Sequence, residues 1–513
     1  MIRKSVYAAL LVGSAFAYSG VAVAQDAPAA PAEAPTQPDE SDATADAAIA
    51  AATPVDELQS KIELLQAQVE ALQDALESVK AAQVKATPSW KGGPEYADKD
   101  AGFSFKPRGA LQFDAGYVGF PNGEELNGTV GGLAYNNLGW NSRARRILFG
   151  ADGTLPGGFR YSAEFNFAQG TVDYEDIFIA YDFKKVPLTV QVGNIYPFSS
   201  LETMTSSKFT SFMERASITD AFSYNRRLGI GLTFSDKKTD RWLFQAGIFN
   251  QPINESAIFN RTGWEAAARG VFSPTLGTTR LHLGASAHYR VNNQDAQNER
   301  LRSRPLTQIT SERFVDTNTI AAESDAYVGV ELAAIHKSLH FAAEAQKLWI
   351  NSIDPGSVFD PNNGTGGGAF LNGNPSFWGG YAELGYYITG ETRGYKGGRF
   401  DRTKVLKPFD QGGWGALQVN GRVDVVELRD DVDGSSASLA APFYVNGGRQ
   451  IGYQLSLIWN PTDYLRFMGQ YGHLDITGGP RAVSPLFDPL DTTPIDKRKF
   501  DVDTAAVRAQ VDF

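Results

Sequence analysis

The C-terminal segment is a strand with two different walls. Between Phe500 and Phe513, Ala505, Val507, Ala509, Val511 and Phe513 share one face of an extended chain, and Arg508, Gln510 and Asp512 share the other. Side chains alternate faces along a strand, so one wall is apolar and the other polar. A strand of about nine to eleven residues, apolar outward and polar inward, is the unit that crosses a bilayer in a β-barrel. A half-buried strand of a soluble β-sandwich would show the same alternation. The rest of the chain decides between the two.

The chain opens with Arg3 and Lys4, an apolar stretch from Val6 to Val23, and Ala22-Val23-Ala24. This pattern predicts a signal peptide over 1–24, cut after Ala24, and hence export. No later segment approaches eighteen unbroken apolar residues, so no transmembrane helix is expected. Cysteine is absent, and an exported chain of this length without disulfides needs another source of stability, which closure into a barrel supplies. The net charge of −11 is uneven: 25–89 holds twelve acidic residues against three lysines, which leaves only −4 from Trp90 onward. The acidic total therefore does not argue against an anion path in the strand-rich part. Residues 25–54 are Ala, Pro, Asp and Glu with few large apolar side chains, and read as a disordered linker. Val55, Leu58, Ile62, Leu65, Val69, Leu72, Leu76 and Val79 then step by threes and fours. That is a heptad run of about three and a half repeats, expected as a coiled coil over 55–85. Its a and d residues lean towards two strands, but a large barrel interface between three copies would override so short a coil's preference, and a single amphipathic helix packed on the barrel is the alternative. Residues 86–101 read as a Gly/Pro linker.

From Gly102 onward sixteen alternating or apolar segments begin near Phe105, Arg145, Phe159, Val172, Leu188, Arg227, Arg241, Gly263, Arg280, Ser324, Leu339, Phe377, Gly413, Arg449, Tyr464 and Phe500. Connections alternate in length. Leu155-Pro-Gly-Gly158 and Lys337-Ser338 are short, whereas 199–225, 292–323, 351–376, 429–448 and 477–499 are long. Short turns at one end and long loops at the other describe an all-β transmembrane barrel of about 16 antiparallel strands over 102–513, with its turns in the periplasm. The coiled coil would then be periplasmic too. Gly390 to Gln411 breaks the rule, being long at the turn end. Trp459 and Tyr464 are placed to join an aromatic girdle at the lipid interface.

Several segments resemble the phosphate-selective porins O and P: Tyr174-Glu-Asp-Ile-Phe-Ile-Ala-Tyr181, Leu201-Glu-Thr-Met-Thr-Ser-Ser-Lys208 leading to Phe212-Met-Glu-Arg215, Ile388-Thr-Gly-Glu-Thr-Arg393, Gly412-Gly-Trp-Gly-Ala416 and Gln510-Val-Asp-Phe513. The resemblance spans 102–513. It implies a sixteen-stranded homotrimeric barrel in the bacterial outer membrane with one loop folded into the pore. Phe513 is similar to the terminal assembly signal of outer-membrane proteins, which makes the barrel-assembly machinery a partner alongside outer-membrane lipid and lipopolysaccharide.

The resemblance assigns the pore loop to 199–225. There Ser206 and Ser207 precede Lys208, Arg215 follows Glu214, and Arg226 and Arg227 close the loop. A few cations in a narrow, low-dielectric passage focus the field and concentrate small anions. Arginine adds bidentate bonds to oxyanions, and serine hydroxyls complete the shell. The same charges could instead pair with Glu202, Glu214 and Asp220 and pin the loop. The resemblance leads one to expect a further lysine where Thr203 stands. Arg143, Arg145 and Arg146, with Arg393, Arg399 and Arg402, are candidates for a basic path or for solvated rim charges. Asp430-Asp431-Val432-Asp433-Gly434 lacks the spacing of a calcium loop, so no metal and no cofactor are expected. His282, His288, His336, His340 and His473 have no metal spacing, and no nucleophile motif stands out, so no catalytic residue is assigned. The expected function is passive diffusion of small hydrophilic solutes, with anions such as phosphate preferred. A general or organic-substrate porin is one alternative. A tether between the outer membrane and peptidoglycan, gripping through the coiled coil, is another. Nothing suggests a nucleic-acid partner.

Overall fold

The structure, a computed structural model, describes residues 54–86, 89–90, 92–98, 100–123, 137–253, 263–294, 296–356, 364–432, 434, 439, 441–482 and 492–513. The signal peptide and nearly all of the acidic linker lie outside these residues. Residues up to Val79 and residues from Lys80 onward form two units. In the first, the heptad run is a helix, α1 (Pro54–Ala86). Its stripe residues Leu58, Ile62, Leu65, Val69, Leu72 and Leu76 are all exposed.

The second unit is a closed barrel of sixteen antiparallel strands. In chain order these are β1 (Phe103–Val118), β2 (Gly139–Leu155), β3 (Phe159–Asn166), β4 (Asp173–Asp182), β5 (Leu188–Ile195), β6 (Arg227–Ser235), β7 (Trp242–Phe249) and β8 (Trp264–Phe272). There follow β9 (Thr279–Val291), β10 (Ile320–His336), β11 (Leu339–Ser352), β12 (Ser376–Tyr387), β13 (Ala416–Asp431), β14 (Tyr444–Thr462), β15 (Leu465–Thr477) and β16 (Lys499–Asp512). Each strand pairs with its neighbours in sequence, and β16 returns to β1 in a register from Thr504↔Val118 to Asp512↔Ala110. No barrel edge is left unpaired, which is what a sheet in lipid requires. Past the last strand, the N–H of Phe513 donates to the Gly109 carbonyl at 3.1 Å, and the Gly109 N–H to that of Phe513 at 3.0 Å.

The alternation of β16 has the expected sense. Phe500, Val502, Thr504, Arg508, Gln510 and Asp512 are buried inside, while Val507 is exposed outside. The main apolar cluster joins inward strand residues to residues of the segments that enter the barrel, and reaches the turn end through Ile335, Ala342 and Phe400. The linker over 86–101 differs from expectation. Its Pro94–Asp98 stretch pairs with β1 through Tyr96↔Phe105, so it extends the sheet rather than hanging free. Trp459 lies outside, stacked on Phe467 at 5.5 Å. Tyr464, expected beside it, instead lies under the Arg402 guanidinium at 4.7 Å.

Among the described residues, three segments enter the lumen. The inner loop, 196–226, carries α2 (Leu201–Met204) and α3 (Ser217–Ala221). Ile218 of α3 seats against Gly379 of β12, where an added Cβ would stand 2.8 Å from it. The mouth loop, 292–319, inserts Leu306 beside Gly472 of β15, where a Cβ would stand 2.7 Å away. The floor segment, 390–411, is the long connection at the turn end. It folds inward as a hairpin of Gly394–Lys396 on Arg399–Asp401 and buries Phe400.

Candidate functional site

The inner loop is tied to both facing walls. On the β10–β13 side, the N–H of Glu202 donates to Glu344 of β11 at 2.7 Å, and Ser211 Oγ to Glu383 of β12 at 3.0 Å. Ser217 Oγ donates to Asp424 of β13 at 2.9 Å, and the Tyr224 hydroxyl to Asp325 of β10 at 2.6 Å. Arg422 joins Glu202 of the loop (2.6 Å) to Glu383 of the wall (2.7 Å). Together these bonds hold the loop in one position, and the bond from Arg422 to Glu202 is of the stronger, charge-assisted kind.

The facing wall, β1, β2, β15 and β16, is basic. A β-bulge makes it so. Gln112 of β1 pairs with Arg146 of β2, but Phe113 pairs with Ala144, which leaves Arg145 as the extra residue. Strict alternation would send Arg145 and Arg146 to opposite faces. The bulge instead lets Arg143, Arg145 and Arg146 all reach polar partners inside. Arg143 donates to the Gln308 carbonyl of the mouth loop. Arg145 forms two bonds to Glu214 of the inner loop, at 2.8 and 3.0 Å. Arg146 donates to Gln112 Oε1 at 2.8 Å. Arg508 of β16 holds Asp114 at 2.6 Å and Glu214 at 2.8 Å.

Between loop and wall lies a cavity of ≈ 60 Å³, bordered by Arg145, Arg146, Arg215 and Arg304 against Glu214 and Asp220. Four guanidinium groups against two carboxylates give this space a net positive lining. Glu214, on the loop, keeps its carboxyl well below the usual range. Burial alone would raise it, but the Arg145 and Arg508 cations outweigh that cost.

The structure divides the sequence-derived candidates. Ser207, Arg145, Arg146 and Arg215 line this cavity. Arg215 donates to the carbonyls of Glu202 (3.1 Å) and Thr203 (3.0 Å) and pairs with none of the carboxylates expected for it. Lys208 lines a second, smaller cavity towards the floor segment, with its Nζ 3.6 Å from Glu164 of β3. Ser206 Oγ accepts from the Lys208 N–H at 3.4 Å. Arg226 stands apart: Asp176 at 2.6 Å and Glu175 neutralise it, and it lies over the Tyr196 ring at 4.1 Å. Arg227 pairs with Glu265 of β8 at 3.0 Å. The C-terminal end of the loop is therefore clamped by barrel carboxylates rather than by the loop's own. Sequence reasoning missed Arg466, Arg304 and Asp114. Arg466 was legible as an inward residue next to outward Phe467, whereas nothing local shows that the mouth loop brings Arg304 inside.

A closed barrel with an apolar exterior and a polar lumen narrowed by inserted loops defines a membrane channel of the porin class. The family model described as "Phosphate-selective porin O and P" matches residues 128–513, and the chain belongs to that family. It is an outer-membrane porin. An uncharacterized protein of Caulobacter vibrioides is 35% identical over 446 residues, covering 85% of this chain and 78% of that protein. Porin O of Pseudomonas aeruginosa is 24% identical over 400 residues, covering 74% and 85%. Among solved structures, Pseudomonas putida OprB overlaps with a TM-score of 0.46 at 12% identity, covering 81% of this chain and 95% of that one. An anion-selective porin from Comamonas acidovorans overlaps with a TM-score of 0.42 at 11% identity, covering 80% and 100%.

Proposed function

We propose that this porin prefers small anions of the phosphate type, and that they pass through the space between the inner loop and the β1–β2–β15–β16 wall. The carrying observation is the cavity in which four arginines face two carboxylates. A lumen that the inner loop, the mouth loop and the floor segment all enter favours a selective passage over a general diffusion pore. The low-dielectric surround keeps these charges poorly screened. Lys208 adds a cation just beyond the cavity, shared with Glu164, which Arg108 already holds at 2.9 Å.

The domain reading follows the sequence: signal peptide over 1–24, linker over 25–54, a periplasmic coiled coil over 55–85 and the porin domain over 102–513. The exposed apolar stripe of α1 supports a coil with further copies of the chain. Strand length supports a homotrimer. β3, β5 and β7 have eight residues each. A strand of that length tilted about 45° rises roughly 19 Å, short of an apolar band of about 25 Å. The low wall from β3 to β8 is better covered by protein than by lipid.

Reversal potentials in a potassium chloride gradient test the anion reading. The wild type should favour chloride. Lys208→Glu changes the local charge by two units, and a charge pair near 4 Å is worth about 4 kcal/mol at intermediate dielectric, so the potential should move clearly towards cations. Arg302→Glu, at an exposed position on the mouth loop, should move it little, because salt screens it within about 10 Å. Equal shifts from both would replace the site by a diffuse surface potential and favour a general porin.

A further inference from the structure

The floor hairpin reaches into the lumen, where Phe400 N–H donates to Thr205 Oγ1 at 3.3 Å and Arg269 to the Gly398 carbonyl at 2.8 Å. The chain beyond it turns the other way. Val405 is still buried, against Tyr387 and Ala416. Leu406, Phe409 and Trp414 are exposed, Trp414 at 84%. Lys404 and Lys407 beside them are exposed too, as is Asp410. This stretch is held as a rigid ledge. Phe409–Gln411 form one 3₁₀ turn, and the Gly413 and Gly415 N–H groups donate to the Pro408 and Lys407 carbonyls at 3.0 and 2.9 Å. Gly415 has a φ of +78° and lies so close to β14 that an added Cβ would stand 2.3 Å from the Asn460 carbonyl oxygen. The ledge is also fastened to the outward face of the wall, because Trp459 Nε1–H donates to the Trp414 carbonyl at 2.7 Å. That face is apolar and continuous. The Ile388 N–H donates to the carbonyl of Leu417, which pairs with Trp459, and Tyr386, Val419 and Leu457 pair across β12, β13 and β14. Ile388, Tyr386, Val419, Leu457 and Trp459 are all exposed.

We propose that residues 404–414 are an interfacial anchor lying in the phospholipid leaflet at the turn end, with Leu406, Phe409 and Trp414 at the headgroup–acyl boundary and Lys404 and Lys407 reaching the lipid phosphates. The inference is independent of the anion-preferring reading and rests on the barrel class alone. A rigid patch of large apolar side chains facing water marks a surface that something else covers. Here the patch prolongs a lipid-facing wall sideways, so the covering medium is the one the wall already meets. Tryptophan suits that depth because its ring is apolar while its polar edge stays wet. Lysine stems lie along apolar surface while the ammonium reaches the headgroups. A second copy is the less suited occupant. The ledge stands below β13 and β14, whose 16 and 19 residues are ample for the bilayer, and not below the low wall from β3 to β8.

The chain has no cysteine, so Phe409→Cys offers a single site for an environment-sensitive fluorophore. The labelled full-length channel is reconstituted into phosphatidylcholine–phosphatidylglycerol vesicles and quenched in turn by lipid spin-labelled near its headgroup and by aqueous iodide. Lys238→Cys, at an exposed position on the turn between β6 and β7, is the control. The lipid quencher should act roughly twofold or more strongly on the dye at position 409 than on the dye at 238, and iodide should act less, as expected of a group seated at the headgroup boundary. Equal response of the two sites to both quenchers overturns the anchor and leaves the ledge in water. Protection of position 409 from both quenchers also overturns it, because the ledge would then be covered by protein. Should Phe409→Cys fail to assemble, Leu406→Cys takes its place with the same expected and overturning results.

Discussion

Glu214 connects the two sides of the passage through a single carboxylate. It is held by Arg145 at 2.8 Å and by Arg508 at 2.8 Å, and its carboxyl is depressed below its ordinary value of 4.5. A group with a depressed folded pKa contributes stability that is fully present above the unfolded value and lost only as pH falls towards the folded one. The Glu214 contacts should therefore stay in place as pH falls from 7 through 4.5, and single-channel conductance should show no step centred near 4.5. A conductance step centred near 4.5 would show that Glu214 titrates normally and that the pair is not formed. Glu214→Gln strips Arg145 of its carboxylate while Arg508 keeps Asp114. Breaking one partner of a buried pair costs about 3–5 kcal/mol, so this variant should show noisier open-channel current and earlier heat dissociation.

The strands were largely legible as elements, because sixteen stretches alternate and each is bounded by turn residues. The expected starts fall on or near the observed ones: Phe159, Leu188, Arg227 and Leu339 coincide, while β2 begins six residues before Arg145, at Gly139. That miss has a cause. Asn141, Ser142 and Arg143 are polar, so the strand's first turn-free stretch shows no apolar wall to read. The bulge at Arg145 was also illegible, since a period of two says nothing about where it breaks, and with it went the facing of three arginines. The floor segment was recognised as anomalous in length, but its inward fold depends on distant partners such as Arg269 and Thr205. The terminal strand was the clearest element and carries its own prediction. Phe513 closes the barrel against Gly109, where an added Cβ would stand 2.7 Å from the ring. Phe513→Asp places a charge at this seam and should sharply lower the amount of heat-modifiable, protease-resistant barrel recovered from outer membranes. Normal recovery would remove the aromatic terminus from the assembly argument.

At the scale of the whole molecule, the unequal height of the wall asks for a partner. β13 and β14 have 16 and 19 residues, whereas β5 to β8 have eight or nine. Across the low wall, Ile179, Val192, Ile230 and Ile248 are paired neighbours on successive strands. All four point outward, and Ile248 is 67% exposed. A row of branched apolar side chains on a wall too low to span the bilayer suits packing against a second copy. Ile230→Arg separates the two possible surroundings. If the row lies in a trimer interface, one arginine per copy should convert the heat-resistant trimer to folded monomer on semi-native gels, with barrel content by circular dichroism unchanged. If the row faces lipid, the same arginine costs about 2–4 kcal/mol near the bilayer midplane, so insertion should fall while the channels that do insert remain trimeric. Trimer retained at full yield would place the interface on another part of the wall.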